Sequence, residues 1–343
     1  MVLSVKEKFD LIKRNTEEIV GEEELNKLLK EKKNPSVYLG TAITGRPHVG
    51  YFVWVLKLGD FLKAGFKVKV LLADLHGALD GTSWESLEKR YDYYAAVIPL
   101  MFKAIGVDTK NLEFVKGSEF QLKPEYMYDV LQMATLNSIN DTKRAASEVV
   151  KFGENPKLSG LIYPIMQALD EQYLDVDVQY GGIDQRKILM FARENLPKIG
   201  YDARIEIMTP LVPGLIGKKM SASDSKSKID LLDSEETVLK KIKEAEMIFG
   251  DADNGVMAFA KQVIFPLKED TKKEFIVKRD KKFGGDLKYK NYTSLEKDFN
   301  SKKVHPLDIK IAVASEINRF LEVFRKDKKL LKLAEETYSE ELS

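Results

Sequence analysis

Short β-rich segments alternate with longer helical segments between residues 36 and 209, and this alternation constrains the fold more than any other feature of the sequence. The five β-rich segments are 36–40, 67–74, 111–117, 177–182 and 203–209. Parallel strands need a crossover of about a dozen residues or more, usually a helix. The alternation therefore predicts an α/β fold whose parallel sheet is covered by helices on both faces. The helical interval 124–174 is too long for one crossover, so we interpret the region of about 117–175 as a helical insertion.

The segments that flank the alternating region predict further helices. Apolar residues at three- and four-residue spacing predict two amphipathic helices, broken near Gly21, in an N-terminal helical segment over 1–34. The sheet region over 35–217 is followed by a polar stretch, 218–233, that is typical of a loop. Residues 234–343 are predicted to form a mainly helical domain. Its helical patterns lie at 234–247, 255–265 and 305–326.

The composition excludes several kinds of functional site. The chain has no cysteine, which excludes disulfides, thiolate zinc sites and cysteine nucleophiles, and its three histidines are too few for a histidine-rich metal site. It shows no cleavable leader and no run of about 18 apolar residues, so we expect a cytoplasmic protein without a membrane partner. The net charge of +1 argues against a nucleic-acid partner. However, residues 261–310 hold 14 Lys and Arg against 8 Asp and Glu, which indicates a basic region.

The segment ITGRPHVGY (43–51) lies between a predicted strand and a predicted helix. A helix N-terminus offers unpaired N–H groups and a positive dipole to a phosphate. His48 can donate to a phosphate oxygen, and Gly50 leaves room for a nucleobase or ribose above the first turn. Taken alone, the segment favours the alternative, an ordinary strand–helix turn that carries a surface histidine.

A second segment, Gly217 to Ser223, reads GKKMSAS and lies in the predicted polar loop. A mobile lysine with two hydroxyls can follow negative charge as it moves onto a pyrophosphate, which stabilises the transition state electrostatically. Lys219, Ser221 and Ser223 are the candidates for this role. The alternative is a solvated basic loop.

Together, the two segments resemble the HIGH and KMSKS signatures of class I aminoacyl-tRNA synthetases. The residues around and between them are similar to the tyrosyl-tRNA synthetase family of the archaeal and eukaryotic type, in order over about 270 residues. The matching segments are 38–52, 71–80, 117–122, 161–174, 178–188, 212–233, 283–287 and 304–310. Two positions depart from the signatures: Tyr51 occupies the place of the second histidine of HIGH, and Ala222 that of the second lysine of KMSKS. The resemblance implies a Rossmann-like catalytic domain over 35–217 and an anticodon-binding domain in the helical C-terminal region.

The resemblance also implies a tyrosine-binding set. Tyr38 and Asp170 match the family's two partners of the substrate hydroxyl, and Gln185 matches a residue near the amino group. Tyr163 and Gln167 complete the set, and with Asp170 they lie at i, i+4 and i+7 on one predicted helix face. The alternative for this stripe is a partly buried structural face. Leu71, His76 and Gln121 match the pocket wall, and His76 is equally compatible with a purely structural role.

The reaction implied is the activation of tyrosine by ATP with Mg²⁺, followed by transfer to tRNA(Tyr). His48, Gly50, Lys219, Ser221 and Ser223 are the implied catalytic residues. No dedicated protein metal site is expected, since Mg²⁺ would arrive with ATP. The implied ATP-binding residues are Gly40, His48, Gly50, Gly182, Asp184 and Lys219, with Asp184 near the ribose.

The resemblance assigns tRNA contacts as well. Phe283, His305 and Asp308 match anticodon-binding positions, and Arg144 aligns with a residue near the acceptor stem. The alternative for the H-P-x-D pattern at 305–308 is plain helix capping. A homodimer formed through the insertion is implied too.

Three rival interpretations remain open at the level of the sequence. Tryptophanyl-tRNA synthetases share both signatures, although Tyr38 with Asp170 favours a phenol over an indole. A small nucleotidylyltransferase also uses H-x-G at such a turn, but it needs no basic C-terminal region. An RNA-binding relative without activity is disfavoured by the presence of His48, Lys219 and the tyrosine-binding set.

Overall fold

The fold is described by a computed structural model for residues 3–214 and 228–339 of the 343-residue chain. The chain divides into two units, which are treated separately below. The first unit contains Met1–Thr44, Lys57–Ala95 and Val107–Leu211, and the second contains Gly45–Leu56, Ala96–Gly106 and Val212–Ser343. The division of the chain at 34, 217 and 233 stays a prediction.

A six-stranded sheet organises the first unit. Its strands are β1 Glu18–Val20, β2 Ser36–Ala42, β3 Lys67–Ala73, β4 Leu112–Lys116, β5 Val178–Gly182 and β6 Ile205–Thr209. Their spatial order is β1-β6-β5-β2-β3-β4, and β2 to β6 are parallel. The predicted α/β, Rossmann-like parallel sheet is therefore confirmed. The strand order reverses between β2 and β5, which is where ligands bind at the carboxyl ends of open α/β sheets.

The edge strand β1 was not predicted. It pairs antiparallel with β6, placing Ile19 opposite Ile207, within a region that we predicted to hold only two helices. Gly21, whose φ is +94°, separates β1 from the following helix. Three residues are too few to display a strand period, and they lie between two genuine amphipathic helices. The predicted break near Gly21 is confirmed, but one of the flanking segments is a strand.

Residues 3–214 contain ten α-helices. They are α1 Val5–Lys13, α2 Glu22–Glu31, α3 Phe52–Lys63, α4 Asp74–Leu79, α5 Leu87–Ile105, α6 Ser118–Gln121, α7 Pro124–Leu136, α8 Ile139–Ala146, α9 Ser159–Tyr173 and α10 Arg186–Asn195. Of these, α3 and α5 begin in one unit and end in the other. The helices α6 to α9 occupy the predicted insertion. Buried side chains of α7 and α9 pack with residues of β2 and β3 in one apolar core, which includes Tyr38, Leu71, Tyr126 and Leu169. This core includes Tyr38 of β2 and therefore lies on the side of the sheet that faces the insertion.

The described part of the second unit is mainly helical, as predicted. Its C-terminal helices are α11 Glu235–Glu244, α12 Gly255–Phe259, α13 Phe265–Asp270, α14 Tyr292–Asn300, α15 Pro306–Arg325 and α16 Lys328–Thr337, with a π turn Ala260–Ile264 between α12 and α13. The prediction missed an antiparallel pair, β7 Phe275–Val277 and β8 Leu287–Tyr289. These strands of three residues lie in a lysine-rich stretch and show no clear alternation. No helix within residues 3–214 and 228–339 is long and apolar enough to cross a membrane.

Candidate active site

The candidate tyrosine pocket of the first unit lies where β2 meets α9. Tyr38 on β2 is fully buried, and its hydroxyl donates to the Gln167 backbone carbonyl at 3.3 Å. Helix α9 also carries Tyr163 and Asp170, which are buried as well. The predicted helix face is thus observed, and it brings the three residues of α9 towards the strand that carries Tyr38. Burial and the neighbouring Asp170 raise the pKa of Tyr38 well above its usual value, so that its hydroxyl keeps its proton.

Asp170 is oriented by two donors on the insertion. The Tyr126 hydroxyl and the Gln121 amide each donate to Asp170 Oδ1 at 2.8 Å. Tyr126 also lies 2.8 Å from the Met166 carbonyl oxygen, one turn earlier on α9. Burial raises the pKa of Asp170 to about 8, while the hydrogen bonds from Gln121 and Tyr126 act in the opposite direction. Because Oδ1 already accepts two hydrogen bonds, Oδ2 is the oxygen that can accept a further one.

His76 forms part of the wall of this pocket. Its ring meets the Tyr163 ring edge to face, with centroids 4.6 Å apart, and its Nδ1 lies 3.4 Å from the Gln121 amide nitrogen. His76 Nε2 lies 3.9 Å from Asp170 Oδ2, within the range of an ion pair. However, burial lowers the pKa of His76 to about 4, so the ring is neutral near pH 7 and the contact is not ionic. His76 is therefore a buried, neutral histidine beside Tyr163 and Asp170, and its place in a pocket wall stays a prediction.

The predicted amino-group and ribose residues lie at the carboxyl end of β5. Gln167 Nε2 donates to Gln185 Oε1 at 3.1 Å, which joins α9 to the short turn 183–185. A Cβ atom at Gly182 would lie 2.6 Å from Asp184 Oδ1, so the glycine makes room for that carboxylate. Burial raises the pKa of Tyr163, and Asp80, Asp170 and Asp184 add to this in decreasing order. Gly40 is exposed near the end of β2.

His48 and Gly50 belong to the second unit. His48 precedes a short 3-10 turn, Val49–Tyr51, that leads into α3. Its Nδ1 accepts from the Gly50 N–H at 3.1 Å, so the neutral ring carries its proton on Nε2. The Tyr51 ring meets His48 edge to face, with centroids 5.1 Å apart. The residue that replaces the second histidine of the signature thus packs against the first. Lys219, Ser221 and Ser223 lie outside the described residues.

The predicted anticodon residues lie on two segments of the second unit. Phe283 ends a 3-10 turn and is 62% exposed, with Lys282 Nζ 5.0 Å from its ring centroid. His305 caps α15, where its Nδ1 accepts from Leu307 N–H at 3.2 Å, and Asp308 lies in the first turn. The capping alternative therefore describes His305 correctly, and it leaves the exposed ring available. Arg279 joins the two segments, because it donates to the carbonyls of Gly285 and Lys303.

Arg144 lies in the last turn of α8. Its Nη2 is 3.0 Å from Asp141 Oδ1, and its side chain is highly exposed. Asp141 in turn forms a capping box with Ser138 at the start of the helix. Within residues 3–214 and 228–339, no group of three or more His, Asp or Glu side chains is arranged to hold a metal ion.

Sequence reasoning missed several residues of these sites. In the sequence, Tyr126 belongs to the apolar stripe of α7 together with Val130 and Met133. Nothing in that pattern indicates that its hydroxyl contacts Asp170. Arg279 is one of many basic residues in its region. Neither residue could be selected without knowing which distant segment it contacts.

Three comparisons place the chain among known proteins. The family model described as tRNA synthetases class I (W and Y) matches residues 30–322. The cytoplasmic tyrosine–tRNA ligase of Danio rerio is 49% identical over 344 residues, with 98% of this chain and 64% of the relative covered. The tyrosine–tRNA ligase of Haloarcula marismortui is 43% identical, with 99% of this chain and all of the relative covered.

A solved structure agrees with these relatives. Tyrosyl-tRNA synthetase from Archaeoglobus fulgidus, complexed with L-tyrosine, superposes with a TM-score of 0.87 at 43% identity, covering 94% of this chain and 99% of that one. The chain spans about three fifths of the length of the vertebrate relatives that it matches. The chain belongs to the class I tRNA synthetases for tryptophan and tyrosine, and within them to the tyrosyl-tRNA synthetase family of the archaeal and eukaryotic type.

Proposed function

We propose that this chain is a tyrosine–tRNA ligase that activates L-tyrosine with ATP and transfers it to the 3′ end of tRNA(Tyr). The observation that carries the proposal is the buried Asp170 carboxylate, whose Oδ1 takes two protein donors beside the Tyr38 hydroxyl. The relatives named above are tyrosine–tRNA ligases, and the A. fulgidus structure contains L-tyrosine.

Recognition of the phenol follows from the burial of Asp170 and Tyr38. A substrate hydroxyl that donates to Asp170 Oδ2 would give that oxygen a partner, whereas phenylalanine would leave it unpaired in an apolar core. Sites of this kind discriminate by a factor of roughly 10⁴–10⁵ in kcat/KM against the analogue that lacks the hydroxyl. Tyrosyl-tRNA synthetase is itself the standard example of this factor. An indole has no hydroxyl to offer Asp170, so the same arrangement disfavours tryptophan.

The amino group of the substrate would lie towards Tyr163, Gln167 and Gln185. An ammonium has three donors and needs oxygen acceptors. The Gln167–Gln185 hydrogen bond orients both amides before the substrate arrives, which lowers the entropy lost on binding.

Adenylate formation requires no protein nucleophile, because the tyrosine carboxylate attacks the α-phosphorus of ATP and pyrophosphate leaves. Positioning and charge stabilisation then carry the step. We assign the phosphates to His48, Gly50 and the loop residues Lys219, Ser221 and Ser223, and the ribose and adenine side to Gly40, Gly182 and Asp184. We expect Mg²⁺ to enter with ATP, as the family resemblance implies.

The second step, acyl transfer, requires the tRNA. Sequence-specific RNA recognition uses aromatic stacking and hydrogen bonds to the edges of unstacked bases. Exposed Phe283 offers a stacking face, and His305 with Asp308 offers polar groups at the start of α15. Arg144, exposed on α8, is our candidate for the acceptor stem.

We also propose that the protein is a cytoplasmic homodimer, with the insertion as the interface. The helices α7 and α8 expose several large apolar side chains, among them Tyr128, Leu131 and Ile139, each about two thirds exposed. A second copy would remove this surface from water. Sedimentation of the wild type and of Leu131→Glu tests this assembly: a dimer that becomes a monomer supports it, and a monomeric wild type contradicts it.

The proposed activity is tested by mixing purified chain with ATP, Mg²⁺, tyrosine and tRNA(Tyr). We expect tyrosyl-adenylate without tRNA and tyrosyl-tRNA with it. An RNA-binding relative without activity would form neither product.

A further inference from the structure

The segment 228–233 lies directly against the His48 turn within the second unit. His48 and Asp230 form an isolated antiparallel β-bridge, and the Val49 N–H donates to the Ile229 carbonyl at 3.0 Å. Lys228 Nζ donates to the Arg46 carbonyl at 3.4 Å. Two stretches that are about 180 residues apart in sequence are thus paired through their backbones.

A buried ion pair accompanies this backbone pairing. Arg46 Nη2 lies 2.6 Å from Asp230 Oδ1, and both residues are more than nine-tenths buried. Asp230 Oδ1 also accepts from the Leu232 N–H at 2.9 Å, and the Asp230 N–H donates to Asp233 Oδ2 at 2.9 Å. The carboxylate is therefore fixed from both sides of the bridge.

A buried ion pair is a weak device for stability, because the loss of hydration of two charges offsets most of their attraction. Its best-attested use is to select one register of two packed elements. Register matters at this point, because a slip of one residue in a β pairing turns every side chain to the opposite face. Such a slip would move the His48 ring away from the face on which the start of the helix presents its N–H groups.

We propose that Arg46 and Asp230 are positioning residues for adenylate formation, which hold His48 in register through the bridge at residue 230. The inference rests on the proposed function, because it assigns the ion pair a part in that reaction. Neither residue needs to touch the substrate. A misplacement of about 1 Å remote from the chemistry lowers a rate by about 10²-fold, so loss of the pair should be visible in kcat.

The test is tyrosine-dependent ATP–pyrophosphate exchange by the full chain carrying Asp230→Asn, which keeps the size of the side chain and removes its charge. We expect kcat to fall by about 10- to 100-fold while the KM for tyrosine changes less than about twofold. Glu316→Gln is the matched control, because it removes the charge from a partly buried ion pair of the same unit, with Lys268. Its kcat should stay within about twofold of wild type. An Asp230→Asn variant with wild-type kcat would overturn the proposal.

A double-mutant cycle with His48→Asn separates positioning from a structural role. If Asp230 acts through His48, adding Asp230→Asn to His48→Asn should lower kcat by less than about threefold further. The proposal would be contradicted if the loss of kcat in the double variant equalled the product of the losses in the two single variants.

Asp230→Asn leaves Arg46 without its buried counter-charge and could therefore impair folding. A second variant distinguishes a folding defect from a loss of positioning. Arg46→Gln/Asp230→Asn removes both charges, and it should melt close to the wild type while its kcat stays at least about tenfold lower. A double variant with wild-type kcat would refute the positioning role. A wild-type chain without exchange activity would refute the proposed function instead.

Discussion

Tyr126 donates its phenolic hydroxyl to Asp170 Oδ1 across 2.8 Å, and this bond links the insertion to the candidate substrate pocket. Gln121, on α6 of the same insertion, donates to the same oxygen. Because these two donors occupy Oδ1, the direction in which Asp170 presents Oδ2 is set by residues that need not touch the substrate. In this view, selectivity for a phenol depends on residues of the insertion as much as on Tyr38 of the sheet.

The Tyr126→Phe variant tests this view. Loss of this donor would leave only Gln121 to orient Asp170 Oδ1. We therefore expect the preference for tyrosine over phenylalanine, measured as a ratio of kcat/KM in pyrophosphate exchange, to fall by about tenfold, as for the loss of one buried hydrogen bond. Tyr201→Phe is the matched control, because it removes a tyrosine hydroxyl that donates to a different carboxylate, Asp129. An unchanged ratio in Tyr126→Phe would mean that Asp170 is held by other contacts.

The raised pKa of Asp170 predicts that the difference in stability between the wild type and an Asp170→Asn variant depends on pH. Burial raises this pKa from an ordinary value of 3.8 to about 8, so the folded state binds a proton that the unfolded state has lost. The contribution of Asp170 to stability is therefore fully present below about pH 4 and is lost as pH rises through about 8. Relative to wild type, Asp170→Asn should gain melting temperature steadily between pH 5 and about pH 8. A difference that stays constant over this range would show that the carboxyl is ionised throughout.

Lys219 is expected to act on the transition state and not on tyrosine binding. Its ammonium would follow charge onto the leaving pyrophosphate, so Lys219→Ala should lower the exchange rate by about 10²–10³, the loss typical of one such donor. Tyrosine affinity, measured by equilibrium binding, should change little. Lys218→Ala is the neighbouring control. An exchange rate equal to wild type in Lys219→Ala would remove Lys219 from the mechanism.

The anticodon assignment predicts a separation of the two reaction steps. Asp308→Ala should weaken aminoacylation of tRNA(Tyr) by about 10- to 100-fold, since a good contact to a base edge contributes about 1–3 kcal/mol. Tyrosine-dependent exchange should stay near wild type, because that step does not use tRNA. Equal losses in the two assays would show that Asp308 supports the fold and not RNA recognition.

The periodic features of the chain could be predicted, and the contacts between distant segments could not. Five parallel strands and the α9 face with Tyr163, Gln167 and Asp170 follow from local spacing. The three-residue strands β1, β7 and β8 were missed because so short a segment has no measurable period. His48 was a candidate because it precedes a predicted helix, whereas Tyr38 was identified only through the family resemblance.

The residues that orient the site were missed for a different reason. Tyr126 contacts a residue 44 positions away, and Arg46 contacts one 184 positions away. A single sequence carries no signal that pairs them. In addition, a tyrosine in an apolar helical stripe is indistinguishable from a core residue until its hydroxyl is located.

The central claim is that the pocket around Asp170 selects tyrosine for activation by ATP. The most direct measurement is ATP–pyrophosphate exchange by the purified chain with tyrosine, phenylalanine or tryptophan as the only amino acid. We expect exchange with tyrosine, with kcat/KM for phenylalanine and tryptophan lower by at least about 10³, a conservative bound for a hydrogen-bonded site. Exchange that depends on tryptophan, or no exchange with any of the three, would contradict the account.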